Sequence, residues 1–270
     1  MRHVLILLAV FAVGTPGPAT AAATDWSEIG PGSRMRLISE DLLAADGTTR
    51  IGIEIELASA TRTYWRVPGE TGLPLRLDLQ GSAGVTGFEI SWPFPRREVS
   101  DGYIDYAYYD RVVLPVTLTT GRGATGLDIR AALELGVCAE ICIPARAEFS
   151  LRITFGDTDR ASAFRLDAAM ADVPASGDGA TAPFGGVTAA PDRNAIVVAA
   201  RGESGVGASL IVHAEDPSWL FGLPQNGPHS GLLELPVLAG GEAFDLVGKV
   251  LRLIYMTDRG PYELTRVVGQ

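Results

Sequence analysis

Lysine, histidine and cysteine are nearly missing from this 270-residue chain. Its one lysine is Lys249, its histidines are His3, His213 and His229, and its two cysteines are Cys138 and Cys142. So few imidazoles exclude a histidine-rich metal centre and leave little for histidine acid–base chemistry. Long apolar runs are equally scarce. The run at 4–13 is too short to span a bilayer and meets Gly14, Pro16, Gly17 and Pro18, while 247–256 is interrupted by Lys249 and Arg252. Positive charge is in deficit too: the net charge is −10 at pH 7, and a surface of that sign repels phosphate backbones and anionic lipid. Neither a nucleic-acid partner nor direct membrane insertion is expected.

What is present is a core-rich, folded composition, 47% hydrophobic and 20% charged. Residues 1–23 read as a secretory leader, with Arg2 as the charged start, 4–13 as the apolar centre and small residues before a cleavage point near Thr24. The expectation from the leader is an exported, soluble protein. Short alternating runs then follow at 34–39, 49–57, 73–79, 88–92, 112–118, 127–135 and 147–155, broken by Gly, Pro and Asp. This is the pattern of antiparallel strands with one wet face, and the spacing of the turns predicts an immunoglobulin-like sandwich. Ala161, Phe164, Leu166, Ala169 and Met170 fall at helical spacing within 157–173. A Gly, Ala and Ser stretch at 175–183 reads as a linker, and alternation resumes from Phe184. The expected organisation is all-β: a leader (1–23), a sandwich carrying the cysteines (24–156), a helix and linker (157–183), and a second, smaller sandwich (184–270).

The cysteines lie in Gly136-Val137-Cys138-Ala139-Glu140-Ile141-Cys142-Ile143-Pro144. Strand-like runs flank them at 127–137 and 143–155, so a hairpin sets Cys138 opposite Cys142, at a Cα separation that a disulfide tolerates. Such a bond closes a loop of about five residues and adds only about 2 kcal/mol of chain-entropy stabilisation. Spacing alone leaves three readings open: an exchangeable disulfide, a structural one in a non-enzymatic exported binding module, and a two-thiolate Cu(I) site. Glu140 between the sulfurs opposes thiolate formation and Arg146 favours it, so no strongly depressed thiol pKa is expected and docking has to carry more of the work.

The cysteine motif resembles that of the N-terminal periplasmic domain of the disulfide reductase DsbD, and more closely that of its relative ScsB, known for suppressing copper sensitivity. Three more segments stand in that family's order: Thr63-Tyr64-Trp65-Arg66-Val67-Pro68-Gly69-Glu70-Thr71-Gly72-Leu73-Pro74, Trp92-Pro93-Phe94-Pro95-Arg96-Arg97 and Val112-Val113-Leu114-Pro115-Val116. Residues 185–270 resemble the second β-domain of the ScsB-type exported region. The resemblance implies a protein-disulfide reductase component without cofactor or metal. It implies a relay of reducing equivalents between thioredoxin-like periplasmic proteins or a membrane-embedded electron-transfer protein and periplasmic acceptors. It assigns the mixed disulfides to Cys142, the resolving thiol to Cys138, and an aromatic cap to the loop 100–109, with Tyr103 the nearest match. The strips Tyr64-Trp65-Arg66 and Trp92-Pro93-Phe94-Pro95 are candidates for the docking surface; Trp65 and Trp92 fit core positions equally well, and for Trp92 the core is favoured. Two departures stand out. DsbD has a longer spacer between its cysteines, and the membrane and thioredoxin-like domains of full-length reductases have no counterpart here, so other proteins are expected to supply them.

Overall fold

The computed structural model describes residues 22–177, 182–201 and 204–270. Almost all of the expected leader, and 178–181 of the expected linker, lie outside the described residues. The first region contains eleven described strands: β1 (Ser27–Gly30), β2 (Ser33–Ser39), β3 (Thr48–Glu56), β4 (Arg62–Gly69), β5 (Arg76–Asp78), β6 (Val85–Ile90), β7 (Arg96–Ser100), β8 (Tyr103–Tyr109), β9 (Arg111–Thr120), β10 (Gly126–Cys138) and β11 (Cys142–Thr154). They form two sheets, ordered β1-β2-β3-β9-β6 and β11-β10-β4-β8-β7, with β5 added on β10. Alternation decides which side chains meet between them: Met35, Leu37, Ile53 and Leu114 from one sheet join Ile129, Leu133, Phe149 and Leu151 from the other in one core.

The wet face expected for the strand at 49–57 is covered. Helix α1 (Arg160–Ala171), capped by Asp159, whose side chain accepts from the Ser162 N–H at 2.7 Å, lies across it. Gly52 makes room, because a Cβ there would lie 2.9 to 3.0 Å from Ile38, Leu166 and Val113. Glu54 is fully buried on that face and is neutralised by Arg36 at 2.6 Å and Arg111 at 3.0 Å. The helix read from the sequence is thus packed on the first sandwich.

In the second region the described strands are joined in one continuous hydrogen-bonding order. Its order is Ile211–Ala214, Val250–Thr257, Gly260–Gly269, Phe184–Ala190, Ala195–Ala200, Leu232–Ala239 and Leu220–Phe221. Gly260–Gly269 and Phe184–Ala190 run parallel, through the pair Val187 and Val268. Phe184, Val198, Trp219, Leu235, Leu253 and Leu264 build its own core.

The two regions meet along β4 and β7. Ile211 and Ile254 belong to the first region's core cluster. Arg97 donates to the carbonyls of Ala208, at 2.7 Å, and Leu210. Arg66 pairs with Glu263 at 2.5 Å and reaches His213 Nε2 at 3.1 Å.

Candidate functional site: a disulfide at the end of an edge hairpin

β10 and β11 pair without a slip from Gly126–Thr154 to Cys138–Cys142, and Ala139-Glu140-Ile141 close the hairpin. Cys138 and Cys142 form a disulfide with Cα atoms 4.0 Å apart. Because strand side chains alternate, Val137 and Leu135 enter the main core while Cys138 projects from the opposite, outer face. There it joins a small separate cluster with Tyr64 and Ala107, against which Tyr109 packs.

The two sulfurs sit in unequal surroundings. Cys138 is one strand in from the edge, paired on its far side with Arg62, which pairs in turn with Tyr109. Directly opposed residues project from the same face, so Cys142, Cys138, Arg62 and Tyr109 make one row across four strands. The aromatic cluster leaves Cys138 at 0% exposure. Cys142 begins the edge strand and is exposed, as are Glu140 and Pro144. Ile141 and Ile143 on either side of it are 76% and 48% exposed.

Tyr64 connects the two surroundings. Its ring is fully buried, and its hydroxyl lies 3.5 Å from Cys142 Sγ. Gly72 lies flat on that ring, because a Cβ there would fall 2.2 Å from Tyr64 Cδ1. Two cations frame the cluster: the Arg62 guanidinium is 6.0 Å from the Tyr64 ring centre and that of Arg96 is 5.0 Å from the Tyr109 ring centre. Arg146, the nearest cation in sequence, is tied to Glu134 at 3.0 Å on the outer face. Among the described residues no group of three or more His, Cys, Asp or Glu side chains is placed to hold a metal ion. None of their helices is long and apolar enough to cross a membrane.

The remaining expected site residues fall elsewhere. Tyr103 lies at the opposite end of β8, paired with Ser100 beside the turn. At about 3.3 Å per residue it is roughly 20 Å along the strand from Tyr109. β8 runs antiparallel to β4, so its last residue, Tyr109, reaches the cysteine row and Tyr103 does not. Trp65 is no docking surface: at 0% exposure it packs edge-on against Tyr106, centroids 5.9 Å apart, and His213, 5.5 Å apart. Tyr64 likewise contributes from below the surface. Trp92 is partly buried against the main core. Arg62 and Gly72 were not singled out for the site from the sequence; Tyr109 is the last residue of the loop 100–109 in which the cap was expected, at the end opposite Tyr103. Arg62 shows no local signal, since strand pairing alone brings it to Cys138 from 76 positions away.

His213 marks the junction between the regions. Its Nδ1 lies 3.0 Å from the Ala214 carbonyl, which places the proton there and leaves Nε2 to accept from Arg66. Burial, with the Arg66 charge second, lowers its pKa to about 4.

Fold and site together define an immunoglobulin-like sandwich domain that carries one disulfide at the end of its edge hairpin, half covered by aromatic rings. Residues 34–153 match the family model described as Thiol:disulfide interchange protein DsbD, N-terminal. The whole chain is similar in structure to the N-terminal periplasmic domain of ScsB from Proteus mirabilis, with TM-score 0.70 and 23% identity, covering 93% of this chain and 99% of that one. No curated protein is a significant match by sequence.

Proposed function

We propose that the chain is an exported thiol:disulfide interchange protein that relays reducing equivalents through Cys138 and Cys142. The observation that carries this reading is the unequal exposure of the two sulfurs. A thiolate can reach Cys142, whereas Cys138 is closed off by Tyr64, Ala107 and Tyr109. A donor thiolate attacking Cys142 forms a mixed disulfide and expels Cys138 as a sheltered thiolate; the donor's second thiol then attacks its own sulfur in that bond, so the donor leaves oxidised and both Cys138 and Cys142 are left reduced. The Cys142 thiolate next attacks an acceptor disulfide, and Cys138 returns to Cys142, re-forming the Cys138–Cys142 bond and releasing the acceptor reduced. The matched family's description and the likeness to an ScsB periplasmic domain support the same reading. They favour thioredoxin-like proteins and a membrane-embedded electron-transfer protein as partners, and the periplasm as the place.

The test is trapping. Cys138→Ala, reduced and then mixed with the oxidised form of a thioredoxin-like protein, accumulates a covalent complex through Cys142, because the Cys142 thiolate breaks the partner's disulfide and no Cys138 thiol remains to resolve the product. A trap that yields no mixed disulfide, together with a reduction potential below about −300 mV for the wild type, assigns the bond a structural role instead.

A further inference from the structure

The hydrogen-bonding parity of the hairpin shows where a partner's backbone has to lie. Gly136 donates its N–H to the Leu73 carbonyl at 3.1 Å, away from β11, so Gly136 and Pro144 exchange no bonds across the hairpin. Proline, which has no N–H, suits that position. Ala139 donates to the Ile141 carbonyl at 3.3 Å, which makes the pair just beyond the cysteines a bonded one. Alternation then makes Cys138–Cys142 a non-bonded pair, in keeping with a Cα separation of 4.0 Å, nearer the roughly 4.5 Å of such pairs than the roughly 5.5 Å of bonded ones. The N–H and C=O of Cys142 therefore point outward, over an edge of β11 to which no described strand pairs.

Chemistry directs the incoming thiol to the same place. Thiolate attack on a disulfide is in line, opposite the leaving sulfur. Cys138 lies on the inner side of Cys142, so the attacking sulfur arrives from beyond β11, where the next strand of the sheet would run. Bonded antiparallel partners have Cα atoms about 5.5 Å apart, within the roughly 4.4 to 6.8 Å that a disulfide spans. One geometry thus accommodates both the covalent and the backbone bonds.

We infer that the partner's cysteine docks in extended conformation as a short added strand on β11, opposite Cys142, exchanging backbone hydrogen bonds with it while its thiolate attacks. This rests on the exchange reading above. The partner sulfur bonds to Cys142 Sγ, the Cys138–Cys142 bond breaks, and its electron pair leaves on Cys138, which takes up a proton. The added strand is short, because the turn lies on one side and Pro144 offers only its carbonyl on the other. Residues flanking the partner cysteine project to the face that carries exposed Ile143, so apolar neighbours are favoured there.

Three peptides test this against the oxidised wild-type protein: acetyl-Gly-Val-Cys-Val-Gly-amide, the same peptide N-methylated at cysteine, and the same peptide N-methylated at the first valine. Of the two methylated positions, only the cysteine N–H faces β11 in the inferred pairing; the valine N–H points away from it. Methylation there is expected to slow mixed-disulfide formation about tenfold and methylation at valine to leave it unchanged. Equal rates for all three overturn the added strand and leave the exchange reading standing. No reaction with any of them, together with a failed Cys138→Ala trap, overturns both.

Discussion

The two regions of this molecule handle polar chemistry in opposite ways. In the first, the row from Tyr109 to Cys142 runs from a covered aromatic cluster to a sheet edge to which no described strand pairs, and the disulfide sits where the cover ends. In the second, the notable polar side chain is His213, which is 5% exposed and enclosed by Trp65, Arg66 and Glu263 at the junction. A strand edge leaves backbone and side chain open to another molecule, while a filled junction spends the same groups on holding two parts of one chain together. Exposure, more than residue type, separates a site for exchange from a site for cohesion.

Removing the exposed sulfur should have the largest effect. Cys142→Ser is expected to abolish exchange with a small-molecule dithiol, while thermal unfolding shows a loss of only about 2 kcal/mol, the worth of a five-residue loop. A large loss of stability would instead make the bond a staple and erase the contrast between the regions.

The junction should respond to pH and the cysteine site much less. His213 has a folded pKa near 4, below its unfolded value of 6.5. Its contribution is complete above pH 6.5 and is lost as the pH falls toward 4, where the unfolded state binds the proton first. That amounts to about 3 kcal/mol over the window. His213→Gln keeps an acceptor for Arg66 and should flatten the pH dependence of unfolding between 6.5 and 4, with exchange at pH 7 unchanged. An unaltered pH profile would mean that the junction does not hold the imidazole neutral.

The smallest effects should come from the tyrosines. Tyr64→Phe removes the hydroxyl 3.5 Å from Cys142 Sγ and is expected to slow exchange about threefold, the scale of one modest hydrogen bond. Tyr103→Ala, at the far end of β8, should leave the rate unchanged. Reversal of that order in a stopped-flow assay would put the aromatic cover at Tyr103.

Much of this was legible in the sequence because it is local. The alternation at 127–137 and 143–155 and the three-residue spacer specify the hairpin and bring Cys138 opposite Cys142. What was not legible depends on pairing between distant segments. Nothing near Cys138 announces Arg62, and four consecutive residues from Arg62 to Trp65 meet different fates once β4 is placed. Arg62 lies in the cysteine row, Thr63 is buried, Tyr64 lies under Cys142 and Trp65 fills the core. An aromatic strip in a sequence reads as a surface or a core equally well, and the ladder alone assigns each ring its face. The same applies to β3, whose polar alternation signals water while α1 lies across it.

The central claim is that Cys142 is the sulfur a partner attacks. Oxidised wild-type protein quenched with acid at an early time after addition of glutathione, then digested and analysed by mass spectrometry, tests it most directly. The predicted adduct is on Cys142 with Cys138 free; an adduct mainly on Cys138 would contradict the account.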